Sequence, residues 1–387
     1  MKRLLSTALA ALALSACSTV SREVPAAAPP AAPAVAPARS DNPLLRTWTG
    51  PYGGVPPFGQ VRLEHFRPGL DAALQRAREE VARIADNPEP PTFENTMARM
   101  EASGRLLQGD RAIYGVFTST LSSPEFQVVE REMAPKLQAL SDEVTQNEKL
   151  FRRVEAVYKT RETSGLTPEQ QRLVWRQYTE MVREGAQLGP DAKKQLTDIN
   201  QRLAVLHAQF NQNVLGDEEG DVLYLATEAD LAGLPESVRG GAKAAAEALG
   251  HPGQWAITNI RSSVEPFLTY SPRRDLREKV WRSFVSRGDH PGPRDNKPLI
   301  TEILALRAER ARLLGYATYA HWRLENAMAK TPERAMQLMQ AVWPVAVGRV
   351  REEVSAMTAI AKKEGMKGEI EPWDYRYYQE KVRKATY

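Results

Sequence analysis

Asp191-Ala192-Lys193-Lys194-Gln195-Leu196-Thr197-Asp198-Ile199-Asn200-Gln201-Arg202-Leu203-Ala204-Val205-Leu206-His207-Ala208-Gln209-Phe210 decides the fold class. Ala192, Leu196, Ile199, Leu203, Leu206 and Phe210 recur at steps of three and four, and polar or charged residues fill most of the positions between. That is one apolar stripe on a helix, nearly as regular as a coiled coil. Its length points to an antiparallel bundle rather than a true supercoil.

The same period runs outward in both directions. Leu70, Leu74, Ala77, Val81 and Ile84 share one face of a first helix, which Asn87-Pro88-Glu89-Pro90-Pro91 ends. Thr92 is placed to cap the next helix, whose apolar face takes in Phe93, Met97, Met100 and Leu107. Ser123-Pro124 and Thr167-Pro168-Glu169-Gln170 each combine a cap with proline at the first helical position. Between Gly216 and Tyr270 the period changes. Val222-Leu223-Tyr224-Leu225 and Trp255-Ala256-Ile257-Thr258 read as short strands around an Ala-rich helix from about Pro235 to Leu249, closed by Gly250. Helices resume at Ser271-Pro272. Thr331-Pro332-Glu333 opens the last long one, carrying Met336, Met339, Val342, Trp343, Val350, Val354 and Met357, with a kink expected at Pro344. The fold class is mainly α: long antiparallel helical hairpins in a bundle, with a small β insertion around 222–258.

The chain has 387 residues, 42% hydrophobic and 26% charged, enough to bury a large core. Its net charge of +4 comes from 52 basic and 48 acidic residues interspersed without a basic block, which gives nucleic-acid binding no support. At the N-terminus, Lys2-Arg3 precede an apolar run from Leu4 to Ala16 that is too short to span a membrane and fits a secretory signal. It ends in Leu14-Ser15-Ala16-Cys17, which resembles the bacterial lipobox. Residues 1–16 then read as a lipoprotein signal peptide, with Cys17, the only cysteine, carrying the lipid. A plain signal peptide with an incidental cysteine is the alternative. Residues 17–41 form a Pro/Ala-rich tether. The expected location is the periplasmic side of the cell envelope, and Ser18 after the cysteine favours the outer membrane by resemblance to enteric lipoproteins.

Chemistry-bearing motifs are sparse. None of the five histidines, His65, His207, His251, His290 and His321, sits in H-E-x-x-H. His321 and Glu325 lie one helical turn apart and are spaced to share a metal or, more plainly, a surface hydrogen bond. No G-x-S-x-G elbow and no phosphate-binding glycine loop occurs. No catalytic residue and no metal ligand is assigned.

Several blocks, in order, are similar to one family. They are Asn42-Pro43-Leu44-Leu45 with Val55-Pro56-Pro57-Phe58, Thr92-Phe93-Glu94-Asn95-Thr96, Asp230-Leu231-Ala232-Gly233-Leu234-Pro235, Glu265-Pro266-Phe267-Leu268-Thr269-Tyr270, Leu276-Arg277-Glu278-Lys279-Val280-Trp281, and Trp373-Asp374-Tyr375-Arg376-Tyr377-Tyr378. The chain resembles the thimet oligopeptidase family of zinc metallopeptidases, most closely its bacterial peptidyl-dipeptidase (dipeptidyl carboxypeptidase) branch. The resemblance implies a mostly helical lobe beside a catalytic one, short peptides as partners, and Zn2+ held by H-E-x-x-H and a later glutamate. Those ligands are not in this chain.

By that resemblance residues 42–370 are the helical N-terminal lobe, and 371–387 the start of the catalytic lobe, cut short. The chain alone is then expected to be inactive and monomeric. A non-catalytic periplasmic peptide-binding or scaffold lipoprotein is the alternative. At the end of the chain, Asp374 is placed to cap a final helix. Trp373, Tyr375, Tyr377 and Tyr378 are the substrate-channel candidates, with packing at the lobe junction as the plainer alternative.

Overall fold

The structure, a computed structural model, describes residues 41–387. The signal run, Cys17 and the tether up to residue 40 lie outside the described residues. Helix α1 (Leu63–Ala85) is followed by a π-type turn over Phe93–Ala98 that runs into the short α2 (Arg99–Ala102), then α3 (Arg105–Ser119) and α4 (Pro124–Thr145). Phe66, Leu70 and Leu74 of α1 meet Ile113 of α3 and Phe126, Val129 and Met133 of α4 in one core, all almost fully buried. Phe66 stands edge-on to Phe117 at 4.7 Å and to Phe126 at 5.0 Å. The continuous helix expected from Thr92 to Leu107 is broken. Gly104 takes a left-handed φ of 70° and gives its N–H to Glu80 at 2.7 Å, so Met97 and Leu107 fall in different cores.

The second core joins α1, the π-type turn, α5 (Glu148–Thr160) and α6 (Pro168–Arg183) through Ile84, Met97, Leu150, Val154, Val174 and Met181. Thr167 and Gln170 form the expected capping box, each side chain accepting the other's backbone N–H at 3.2 and 2.9 Å. Buried Arg153 on α5 pins the proline loop, donating to the carbonyls of Asn87 at 2.7 Å and Glu89 at 2.9 Å. The long helix α7 (Pro190–Gly220) runs past Phe210 and packs along α4. Its Ile199, Leu203 and Leu206 face Ile303 of α11 (Lys297–Leu313), as the stripe requires.

Strands β1 (Val222–Leu225) and β2 (Trp255–Thr258) pair antiparallel, Val222 opposite Thr258 and Leu225 opposite Trp255, with α8 (Glu236–Ala248) between them in sequence and packed on β2. Helix α9 (Arg261–Tyr270) comes next, ahead of Ser271-Pro272, where the sequence reading resumes helices. Burial of Val264, Phe267 and Leu268 holds this short helix around its proline. Its last carbonyl, at Tyr270, approaches Gly233, which has a φ of 74° and where a Cβ would lie 2.7 Å from that oxygen. Gly233→Ala should therefore cost about 2 kcal/mol or more in urea unfolding, combining the left-handed penalty with a backbone clash. Gly250→Ala, at a similar φ of 79° with nothing near the added carbon, should cost about half as much. Equal losses would remove the clash from the explanation.

The chain continues through α10 (Arg274–Val285), α11, α12 (Tyr319–Leu324), α13 (Pro332–Lys363) and α14 (Pro372–Thr386). Helix α13 runs uninterrupted through Pro344. Met357 and Ala361 near its end are buried against Tyr378, but Met336, Met339, Val342, Trp343 and Val350 remain exposed.

Candidate functional site

Helix α14 is seated by charge. Glu371, not Asp374, is its N-cap: Pro372 occupies the first helical position, which moves the start a turn ahead of the expected one. Asp374 then falls in the first turn with no solvent exposure, accepting the Glu371 N–H at 3.2 Å. Arg277 of α10, itself 1% exposed, donates to Asp374 Oδ1 at 2.7 Å, to the Trp373 carbonyl at 3.1 Å and to the Ser271 carbonyl at 2.8 Å. Half-exposed Arg274 donates to Asp374 Oδ2 at 2.8 Å. Burial pushes the Asp374 carboxyl up, but the hydrogen bonds from Arg274 and Arg277 outweigh it and hold the group below its ordinary value. A buried carboxylate so fully occupied has no lone pair left for proton transfer. The cluster is a joint between α10 and α14.

The four aromatic candidates surround this joint. Trp373 is buried edge-on to Trp281, with ring centroids 5.6 Å apart, and Arg282 and Arg274 lie over it. Tyr375 donates its hydroxyl to Glu353 of α13 at 2.7 Å, which raises its pKa. Tyr377 lies under Arg277 at 4.3 Å and edge-on to Tyr378 at 5.1 Å; Tyr378 is buried in the core formed by α13 and α14. Beside them an open groove between α9 and α14 presents Arg261 and Arg376, both held by Glu265 at 3.0 and 2.7 Å.

The described residues do not fit a metal at His321 and Glu325. The Glu325 carboxylate accepts from Arg183 and from the Tyr316 hydroxyl, both at 2.6 Å, while the His321 ring turns to Thr318 at 2.8 Å. Trp322 Nε1 returns a bond to the Arg183 carbonyl at 3.0 Å, so the pair forms part of a clasp between α6 and α12. His207 meets Arg307 at 3.3 Å, and His65 accepts the Arg62 N–H at the start of α1. Asp217, which in sequence is an ordinary member of the carboxylate run Asp217-Glu218-Glu219, has a structural role. It is 2% exposed, accepts from Gly288 N–H and His290 Nε2, both at 2.8 Å, and ties α7 to the loop before α11. Among the described residues no group of three His, Cys, Asp or Glu side chains converges as a metal site would require.

Residues 267–387, which include α10, α13, α14 and the Arg277–Asp374 joint, match the model of Peptidase family M3. The chain is 33% identical over 346 residues to a dipeptidyl carboxypeptidase of Escherichia coli, covering 89% of this chain and 51% of that protein. It is 31% identical over 350 residues to an oligopeptidase A of the same organism, again 89% and 51%. It is also 32% identical over 349 residues to a dipeptidyl carboxypeptidase of Salmonella typhimurium, covering 90% of this chain and 51% of that protein. The chain thus spans about half the length of the curated relatives it matches. Over 89–90% of its length the chain is similar to dipeptidyl carboxypeptidases and to an oligopeptidase A, and residues 267–387 match Peptidase family M3.

Proposed function

We propose that this chain forms the helical N-terminal lobe, and the threshold of the catalytic lobe, of a zinc peptidase that cleaves short peptides and releases dipeptides from their C-termini. One observation carries the reading. The alignment to a dipeptidyl carboxypeptidase takes in 89% of this chain while reaching 51% of the relative. Zinc would supply an activated water for attack on the peptide carbonyl. Since the described residues do not fit it, its ligands are assigned to the half of the relatives' length that the alignment does not reach. What this chain supplies is a frame whose α14 is fixed by the Arg277–Asp374 joint. The purified chain, assayed alone with a short peptide, should release no dipeptide and hold no stoichiometric zinc. Turnover together with one zinc per chain would overturn the division of labour.

The proposed location is the periplasmic side of the envelope, on the outer membrane, with the chain monomeric and held through a lipid on Cys17. The support is the run Leu14-Ser15-Ala16-Cys17 behind a short apolar stretch. Fatty-acid labelling should mark the wild-type chain, and Cys17→Ala should shift it from the membrane to the soluble fraction. An unlabelled wild type sinks the anchor.

A further inference from the structure

Helix α13 carries a surface that nothing else in the described chain covers. From Ala335 to Gly348 it has fourteen residues without one charge, in a chain that is 26% charged. Within that run Met336, Leu338, Met339, Val342, Trp343 and Val345 are between 47% and 74% exposed. At 3.6 residues per turn they spread over about half the helix circumference. Full burial of each such side chain is worth about 1.5–3 kcal/mol, and soluble monomers rarely leave an apolar patch beyond about 300–600 Å² in water. The helix's own partner, α14, lies at its other end, where Met357 and Ala361 pack on Tyr378.

We propose that this ridge, 336–346, seats a second peptidase lobe of the kind that fills the other half of the relatives' length. The proposal rests on the peptidase reading above. The ridge lies inside the segment that matches Peptidase family M3, and the matched relatives carry about as much chain again. The width of the ridge selects the occupant. A two-fold contact between copies of one helix covers a narrow stripe, whereas half a circumference needs a groove built from several elements. A membrane surface is a poor fit, because the run has no basic face, and no helix among the described residues is long and apolar enough to cross a bilayer.

The test uses the half of the Escherichia coli dipeptidyl carboxypeptidase outside its aligned region, made as a separate chain and titrated into this one without zinc or peptide. A one-to-one complex should form in sedimentation. Amide exchange over 336–346 should slow by about tenfold or more, and the emission assigned to Trp343 by comparison with Trp343→Phe should shift to the blue. Val342→Asp with Val345→Asp should weaken the complex by about tenfold or more, while Gln337→Asp, on the other side of the helix, should change it less than about twofold. No complex at about 100 μM overturns the proposal. So does self-association that the same double substitution abolishes, or adsorption to anionic vesicles through this run. A complex that hydrolyses nothing once zinc is restored sinks the peptidase reading and leaves the seat standing. Hydrolysis by a mixture in which 336–346 stays unprotected does the reverse.

Discussion

Asp374→Ala should lower the unfolding free energy by about 3–5 kcal/mol, because it strands a guanidinium in the interior. Arg277 is 1% exposed and would keep only its two backbone acceptors, the carbonyls of Trp373 and Ser271. The Glu371 N–H would lose its acceptor as well. The two arginines are not equivalent. Arg274 is 44% exposed, so water replaces much of what it loses, and Arg274→Met should cost under about 1 kcal/mol. In a double-mutant cycle, coupling of Asp374 to Arg277 should exceed coupling to Arg274. Replacing both members of the buried pair, Asp374→Leu together with Arg277→Met, should recover much of the loss, since an apolar replacement removes the desolvation cost of both charges.

The pH dependence has a definite sign. The folded carboxyl is held below its ordinary value, so its contribution is complete above the unfolded value of about 3.9 and disappears as pH falls through the folded one. Urea titrations followed by tryptophan emission at neutral and acid pH read both effects. A loss below about 1 kcal/mol for Asp374→Ala at neutral pH would mean that packing alone seats α14.

What the sequence reveals follows the range of the interaction. Helix starts written as Ser123-Pro124, Thr167-Pro168 and Thr331-Pro332 are local signals, and the structure begins α4, α6 and α13 at those prolines. The two strands and their intervening helix are equally legible, because a change of period needs only a few residues. Helix α5 has no counterpart in the sequence reading, although Asn147 caps it and Leu150, Val154 and Val157 share its buried face. The break at Gly104 and the helix around Pro266 depend on partners from elsewhere, Glu80 in one case and the core residues Leu225, Leu231 and Val280 in the other. The joint is the extreme case. Arg277 and Asp374 are separated by 97 positions, and nothing local distinguishes a buried carboxylate in a first turn from an exposed helix cap. The exposed ridge on α13 follows the same logic in reverse. Its apolar residues announce burial, but the described chain holds nothing that covers them.

Asp110→Asn should stabilise the protein at neutral pH, against the usual direction for a buried substitution. Asp110 sits on α3 with no exposure, and neither carboxylate oxygen has a hydrogen-bond partner among the described residues. Burial alone raises its pKa to about 8. The fold therefore keeps a proton that the unfolded chain releases at about 3.9. Stability falls as pH rises from that value toward the folded one and levels off beyond it, because over this window the native state binds the extra proton. At pH 7 the accumulated cost is about 3 units at 1.36 kcal/mol each, or roughly 4 kcal/mol. Asparagine keeps the shape, cannot ionise, and removes that slope. Part of the gain is offset by the amide's own desolvation, about 1–3 kcal/mol for an unpaired buried polar group, so the net stabilisation at pH 7 should be on the order of 1–3 kcal/mol. It should vanish or reverse near pH 4, where the wild-type carboxyl is protonated in both states. Unfolding free energies measured for both proteins between pH 4 and pH 9 decide it. Parallel curves would show that Asp110 finds a partner in solution, and the expected crossing requires that it does not.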